Sequence, residues 1–396
     1  MPTETVRRDE AAPAQEARGS RAWPALNHSL ARSLTFVAFL AVFVTYTIWL
    51  GGLFLNPGTR LLDVHSNTPV LLLALSVMVT LLSGQFDLSV GSMATLVAFL
   101  TVGLTVRQGW PFWLVLVSVL VVGIVGGLLN GVLVTLLRVN AFIATLGTGG
   151  VFLGLSAVYS NDQVVSPVNR QLPGWFTGLG QFGHKVPTWI PWLAIALALV
   201  WAASILVRRL SQYSNRRRLA IAAAAVASVA VFAALNGPRW IDAISNLVAL
   251  LFLVAAVLWV LLNQTPYGRN LRATGSNAAA ARLAGVRTRR ATIIAFVIGG
   301  TLASLSGITL ASLNDSAAPG VAVDFLLPAF AAAFLSTVLF SRGGFTVWGT
   351  ITGGVFIVWV AQGLILGGLQ YTWTDVVNGV VLVSAVALST TFRARE

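Results

Sequence analysis

The sequence predicts an all-α, polytopic integral membrane protein with about twelve transmembrane helices and both termini in the cytoplasm. Three observations carry that expectation. Of 396 residues, 57% are hydrophobic and 9% charged, whereas a soluble domain carries about 25% charged residues to clothe its surface. Apolar runs of roughly 20 residues, the length that crosses a hydrocarbon core of about 30 Å, recur along the chain. The arginines fall between those runs, with a strong bias to one side.

Residues 1–33, rich in Ala, Arg, Pro and Glu, read as a disordered cytoplasmic tail. The first apolar run begins too late and runs too long to be the core of a signal peptide. The transmembrane domain is expected over 34–392. Its spans lie near 34–55, 69–83, 88–106, 111–137, 141–160, 188–207, 219–235, 244–263, 291–312, 325–340, 345–366 and 372–391. The second and tenth are short and adjoin Gly or Pro, which suits broken or tilted helices.

Orientation follows from charge. With the N-terminus inside and all twelve segments crossing, 20 of the 25 basic residues lie inside, and Arg60, Arg107, Arg170, Lys185 and Arg239 remain outside. Arginine holds a loop in the cytoplasm, so this bias selects that topology. Trp49, Trp110, Trp113, Trp189, Trp192, Trp240 and Trp373 sit near the outer ends, where amphipathic rings favour the interface. Gly123, Gly127 and Gly131, and likewise Gly299, Ala303 and Gly307, form small-residue ridges suited to close helix packing. Because the arginines are dispersed between apolar runs, the net charge of +13 points to lipid surroundings and no nucleic-acid partner.

Catalytic chemistry finds little to use. The chain has no cysteine, which removes disulfides, thiol nucleophiles and Cys-ligated metals. His28, His65 and His184 are scattered outside the apolar spans, so neither a Ser-His site nor a metal cluster is expected. The stretch Gly178–Lys185 (GLGQFGHK) imitates a phosphate loop, but His184 separates Gly183 from the lysine and Val186 follows. A phosphate loop needs Gly-Lys-Ser/Thr so that the lysine reaches phosphate and the hydroxyl reaches magnesium. The chain is therefore expected to be no enzyme and to carry no cofactor.

Two polar interruptions stand out. Between the second and third spans, Ser83–Ser92 reads SGQFDLSVGS. A carboxylate at the bilayer centre costs at least about 2.5 kcal/mol, so Asp87 belongs at a helix end or in a polar pathway. As an N-cap it would open the helix that follows; as a pathway group it would line a broken helix. The two roles are compatible. The second interruption, 264–290, holds six arginines and no acid. Its Ala278–Ala281 run favours a short helix between glycine turns, so it serves as a plain anchor or as a docking element.

Four stretches carry a resemblance. GQFDLSVGSM at 84–93, LLNGVLVTLLRVNAFIATLGTGGVFLGL at 128–155, TPYGRNLRATGSNAAAARLAGV at 265–286 and GGFTVWGT at 343–350 resemble, in order, the permeases of ribose/xylose-type sugar ABC importers. The resemblance implies a ten-helix permease core with a two-helix insertion near 188–235, and a cytoplasmic coupling loop near 264–290. It assigns Gly268, Arg269, Ala273, Gly275, Asn277, Ala280, Ala281, Ala284 and Gly285 to that loop, which contacts the ATPase in relatives. Gln85, Phe86, Asp87, Leu88 and Ser89 fall in the segment lining or bracing the pathway. The chain departs from the pattern at Gln85, where relatives have a glycine, and over 331–344, where they are rich in Gly and Thr.

The function so implied is import of a monosaccharide across a bacterial inner membrane by alternating access. The partners implied are an ABC ATPase carrying ATP and magnesium, an extracytoplasmic sugar-binding protein and a second permease copy. The alternatives are a related importer for branched-chain amino acids or nucleosides, or a proton-coupled secondary transporter. The last would want several buried carboxylates or histidines.

Overall fold

The computed structural model describes residues 41–168, 170–193, 195–196, 237–339, 344–370 and 372–393. The expected tail at 1–33 and most of the insertion at 188–235 lie outside the described residues. Among these, the structure is helical, with two isolated bridges (Val165 with Ala317, Lys185 with Ser245) and no named strand.

The chain enters through α1 (Ala41–Leu50) and α2 (Gly52–Leu55), which part at Gly51, a residue at φ +54. The expected first span is therefore interrupted near its C-terminal end. Next come α3 (Pro57–Ser66) and α4 (Thr68–Leu82). Asn56 caps α3 by accepting from the N–H groups of Gly58 and Thr59, with Pro57 at the first helical position. Pro69 has no N–H to continue the ladder, and the two helices meet at a bend of 59°. The expected second span at 69–83 is itself the continuous α4, and the break lies just before it, between α3 and α4. The charge reading placed Arg60 in the outer loop, but α3 folds inward. Arg60 is 2% exposed and forms an ion pair with Asp63 at 3.1 Å, because a carboxylate three residues along the same face makes its burial tolerable.

Helices α5 (Val90–Val106), α6 (Phe112–Thr135) and α7 (Ala141–Ser160) follow, then the short α8 (Gly174–Gly180). After the undescribed stretch come α9 (Asn246–Gln264), α10 (Pro266–Ser276), α11 (Ala278–Leu283) and the long α12 (Thr288–Asn314). The chain ends in α13 (Leu326–Leu339), α14 (Val347–Leu366) and α15 (Trp373–Arg393). Five of these helices are long and apolar enough to cross a membrane, or six if the bent α3–α4 pair counts as one span. Helices α1, α5, α13 and α15 contribute shorter apolar stretches. Ten of the twelve expected spans coincide at least in part with these helices.

Every residue of α4 is buried, as an all-round apolar helix requires. Helix α12 packs on α6, α4 and α5, and α13 packs on α14, α15 and α4. The expected α6 ridge makes the contact with α12, but it is met there by Gly300, whereas Gly299 and Gly307 of the expected α12 ridge face α4 and α5. A Cβ on Gly127 would overlap the Phe296 carbonyl, and one on Gly300 the Gly123 carbonyl, so the α6 and α12 backbones touch. Hydroxyls then fasten the same helices: Ser76 donates to the Gly299 carbonyl (2.7 Å), Ser304 to Val119 (3.1 Å) and Ser306 to Pro69 (2.8 Å). Such bonds matter where no water competes. On α6, α7 and α9, by contrast, many leucines, valines and isoleucines face outward, as lipid-facing surfaces do.

Candidate translocation site

At the end of the bundle holding the α3–α4 bend lies a cavity of about 600 Å³. Ser66 and Asn67 come from the bend, Asn314 from the end of α12, Asp324 from the turn before α13, Gln362 from α14, and Thr374, Asp375 and Asn378 from the first turns of α15. Phe182 and Phe325 supply aromatic surface. Among the described residues, no lysine or arginine lines this cavity. The Asn378 Oδ1 atom is buried without a hydrogen-bond partner, an arrangement that costs about 1–3 kcal/mol unless a ligand or water satisfies it.

His65 closes one wall. Its Nε2 lies 2.9 Å from the Gly180 carbonyl, which can only accept, so Nε2 carries the proton. Nδ1 then accepts from the Ser245 hydroxyl at 2.7 Å, and Ser245 in turn accepts from the Val248 N–H at the start of α9. These bonds tie α3, the α8 loop and α9 together. Sequence reading placed His65 in an outer loop without a role; it is a buried strut instead.

An apolar groove of about 390 Å³ adjoins the cavity and shares Asp324 and Asp375 with it. Leu88, Val323, Leu326, Leu327, Phe330 and Leu382 line it, and Phe86 stacks on Phe330 with ring centroids 6.1 Å apart. The five residues assigned to the pathway therefore divide. Phe86 and Leu88 lie along the groove. Gln85 lines a separate cleft at the opposite end of the bundle from the cavity. Asp87 and Ser89 are buried inside the protein, at 1% and 2% exposure.

Asp87 does not cap α5, whose N-cap is Ser89 with no side-chain cap bond. The Asp87 carboxylate instead accepts from both the N–H (3.0 Å) and the hydroxyl (2.6 Å) of Ser89, forming a tight turn before the helix. The Ser89 hydroxyl also accepts from the Asn130 amide (2.8 Å), and Asn130 Oδ1 accepts from Thr148 (2.7 Å). Thr145 accepts from the Leu88 N–H at 3.1 Å. Asn130, Thr145 and Thr148 thus join the site, which sequence reading did not foresee. Their only local signal was their place within the 128–155 stretch.

The segment 264–290, expected to be a coupling loop, forms two helices where one was expected. Asn277 separates α10 from α11 and caps α11 by accepting from the Ala279 and Ala280 N–H groups. Gly285 closes the segment at φ +81, a conformation glycine adopts freely. Arg269, Ala273, Gly275, Asn277, Ala280 and Ala284 are exposed, and Leu283 is 91% exposed. Gly268 and Ala281 are buried within the chain, so they support the segment and leave the outer surface to the others. Burial pushes the Tyr267 phenol up and the Arg272 guanidinium down from their ordinary pKa values. Arg272 donates to the Leu262 carbonyl (2.9 Å) and to Asn263 Oδ1 (2.6 Å), holding α10 against α9.

The two motifs touch. A Cβ on Gly275 would overlap the Leu82 carbonyl, and Gly84, at φ +78, faces the Gly275 backbone. The coupling segment therefore bears directly on the turn that leads to Phe86, Asp87 and Leu88. Among the described residues, no group of three His, Asp or Glu side chains converges as a metal site.

Residues 64–386 match the family described as "Branched-chain amino acid transport system / permease component". Similar proteins include the autoinducer 2 import system permease protein LsrC of Photorhabdus laumondii, 28% identical over 324 residues that cover 82% of this chain and 79% of the relative. The protein of that name from Salmonella typhi is 28% identical over 352 residues, covering 88% of this chain and 83% of the relative. The one from Escherichia coli O157:H7 is 26% identical over 351 residues, covering 88% and 84%. No solved structure matches.

Proposed function

The chain belongs to the family of branched-chain amino acid transport system permease components, and from that premise we propose that it imports a small, neutral, hydroxyl-rich, sugar-like molecule. As a permease it is a transporter component and not an enzyme. In this reading ATP and magnesium are handled by a separate ABC ATPase. An extracytoplasmic binding protein delivers the substrate, and a second permease copy completes the path in a bacterial inner membrane. The orientation that goes with it has twelve crossings and both termini inside, with the cavity at the outer end and 264–290 at the inner end.

The observation that supports the substrate class is the cavity lining. Carboxylates, amides, hydroxyls and aromatic faces suit a polyol, whose hydroxyls both donate and accept, and the buried Asn378 Oδ1 awaits such a donor. An amino-acid substrate would bring a carboxylate, and no lysine or arginine in that lining pairs with it. The names of the relatives favour the same class, since they specify autoinducer 2 import.

Mechanistically, alternating access needs a contact that carries ATPase motion to the pathway. The exposed face of α11 receives that motion, and the Gly275–Leu82 contact passes it to the 83–89 turn. The Asp87–Ser89–Asn130–Thr148 chain keeps that turn rigid, so that Phe86 and Leu88 move as one unit along the groove. A reconstituted system of permease, ATPase and binding protein, offered labelled ribose, xylose, autoinducer 2 and leucine, tests the reading. ATP-dependent uptake of a sugar-like compound with none of leucine is expected. Preference for leucine would select the amino-acid alternative, and uptake by the permease alone under a proton gradient would select the secondary transporter.

A further inference from the structure

A second polar site lies at the opposite end from the cavity. Between the end of α6, the helix α11 and the start of α12 is a cleft of about 560 Å³. Arg138, Arg282 and Arg289 line it with Ser83, Thr288 and Thr292, and no carboxylate is among the lining residues. Three arginines border it with the buried Thr288 and Thr292 hydroxyls and, among the described residues, without a counter-charge, while the Ser83 hydroxyl donates to the Thr80 carbonyl at 2.7 Å.

Local electrostatics makes the arrangement unfavourable when empty. Helix α12 starts at Thr288 with no side-chain cap and no acid in its first turn. Its positive end therefore meets Arg287, Arg289 and Arg290, where helices favour anions and disfavour cations. Topology asks only that arginines stand on this side of the membrane; it does not ask that they crowd an uncapped helix start. Arg282 donates its Nε to the Ala278 carbonyl at 3.1 Å, which steadies the guanidinium and leaves its two terminal amino groups for a ligand. A tetrahedral oxyanion matches these donors: guanidinium forks and the Thr288 and Thr292 hydroxyls beside a helix start.

We propose that this cleft binds a phosphate group, and that its occupant ties α11, the element offered to the ATPase, to the transmembrane body. The floor of the cleft is Ser83, Gly84 and Gln85, the turn on which Gly275 rests, so an occupant stiffens that same contact. On the orientation proposed above, the phosphate comes from an anionic lipid headgroup of the inner leaflet or from free phosphate. The choice of source rests on that orientation, and the phosphate chemistry does not.

The test takes the intact permease with its ATPase in vesicles of phosphatidylcholine, with or without phosphatidylglycerol, and counts retained lipids by native mass spectrometry. A second arm adds inorganic phosphate, against chloride at equal ionic strength, to the detergent-solubilised complex and follows its thermal midpoint. The variant Arg138→Gln/Arg282→Gln/Arg289→Gln alters exposed side chains only, and Arg170→Gln is the control far from the cleft. Selective retention of phosphatidylglycerol that falls about tenfold in the triple variant and not in the control assigns the headgroup. A thermal shift with inorganic phosphate that the triple variant abolishes assigns free phosphate. Equal retention of the two lipids together with no phosphate shift, or either effect persisting in the triple variant, overturns the proposal. None of these readouts depends on which substrate is carried, so the proposal and the substrate reading fail separately.

Discussion

On the orientation proposed above, α4 has an inner end at Leu82 and an outer end at Asn67, and the two are built differently. At the inner end, backbone meets backbone at Leu82 and Gly275, and the 87–89 turn is buried with its carboxylate, hydroxyl and amide groups bonded to one another. At the outer end, Asn67 and Val70 border a cavity of about 600 Å³ whose wall holds an unpaired amide oxygen at Asn378. A joint that transmits force needs contacts with no slack and no unmet polar groups, because interiors packed to that density move as units. A site that recognises a ligand needs the reverse, polar atoms left unmet until the ligand arrives. At the Leu82 end the buried 87–89 turn is bonded within itself and the arginine cleft lies outside it, whereas at the Asn67 end the unmet polar atom faces the cavity.

Substitutions at each end sharpen the contrast. The largest effect is expected from Ala280→Glu on the exposed face of α11. A carboxylate set into an interface that docking desolvates costs several kcal/mol, so ATPase association and ATP-driven uptake should fall below detection in pull-down and transport assays, with expression unchanged. If uptake survives, α11 is an anchor and the inner end transmits nothing. A smaller loss is expected from Asp375→Asn in the cavity. Removing one charge-assisted hydrogen bond to a substrate hydroxyl should lower uptake about 10- to 100-fold and leave ATPase association intact. Loss of association there would mean that the outer end is structural too. The smallest is Asn130→Leu, which strips the Ser89 hydroxyl of a donor and Thr148 of its acceptor. About 1–2 kcal/mol of stability should be lost, seen as a lower thermal midpoint in detergent, with uptake reduced only as far as the turn loosens.

The inner end was readable in the sequence because its parts are contiguous. Residues 83–89 and 264–290 each interrupt apolar runs, and each interruption is visible as a change in residue type. Their mutual contact was not readable, since nothing in either stretch records that Gly84 faces Gly275 across about 190 residues of chain. The outer cavity was illegible for a stronger reason. Asn67, Asn314, Asp324, Gln362 and the α15 pair Asp375 and Asn378 come from five separate places along the chain, and each alone looks like an ordinary polar residue near a helix end or turn. Asp375 even falls inside an expected span, where its helix-start position makes it resemble a favourable first-turn acid. The ridges of small residues on α6 and α12 were legible because close packing leaves a periodic mark on one helix, whichever partner it meets. Arg60 and His65 misled for the opposite reason: charge and polarity argue for solvent, and only tertiary partners such as Asp63, Ser245 and Gly180 make burial the better outcome.

The elbow at Asn67 gives α4 the properties of a pushrod. Its 15 residues make a rod of about 22 Å at about 1.5 Å rise each. One tip is seated on the coupling segment and the other on the cavity wall, and its shaft is sheathed by neighbouring helices throughout. Helix α3 is bolted to the outer loop and to α9 through His65, so it acts as a fixed bearing. Had α3 and α4 been one straight helix, any stroke of the rod would have dragged that bearing along with it. Because the shaft is jointed there, the mechanism proposed above needs only a tilt of α4, which would reshape the cavity without moving α3.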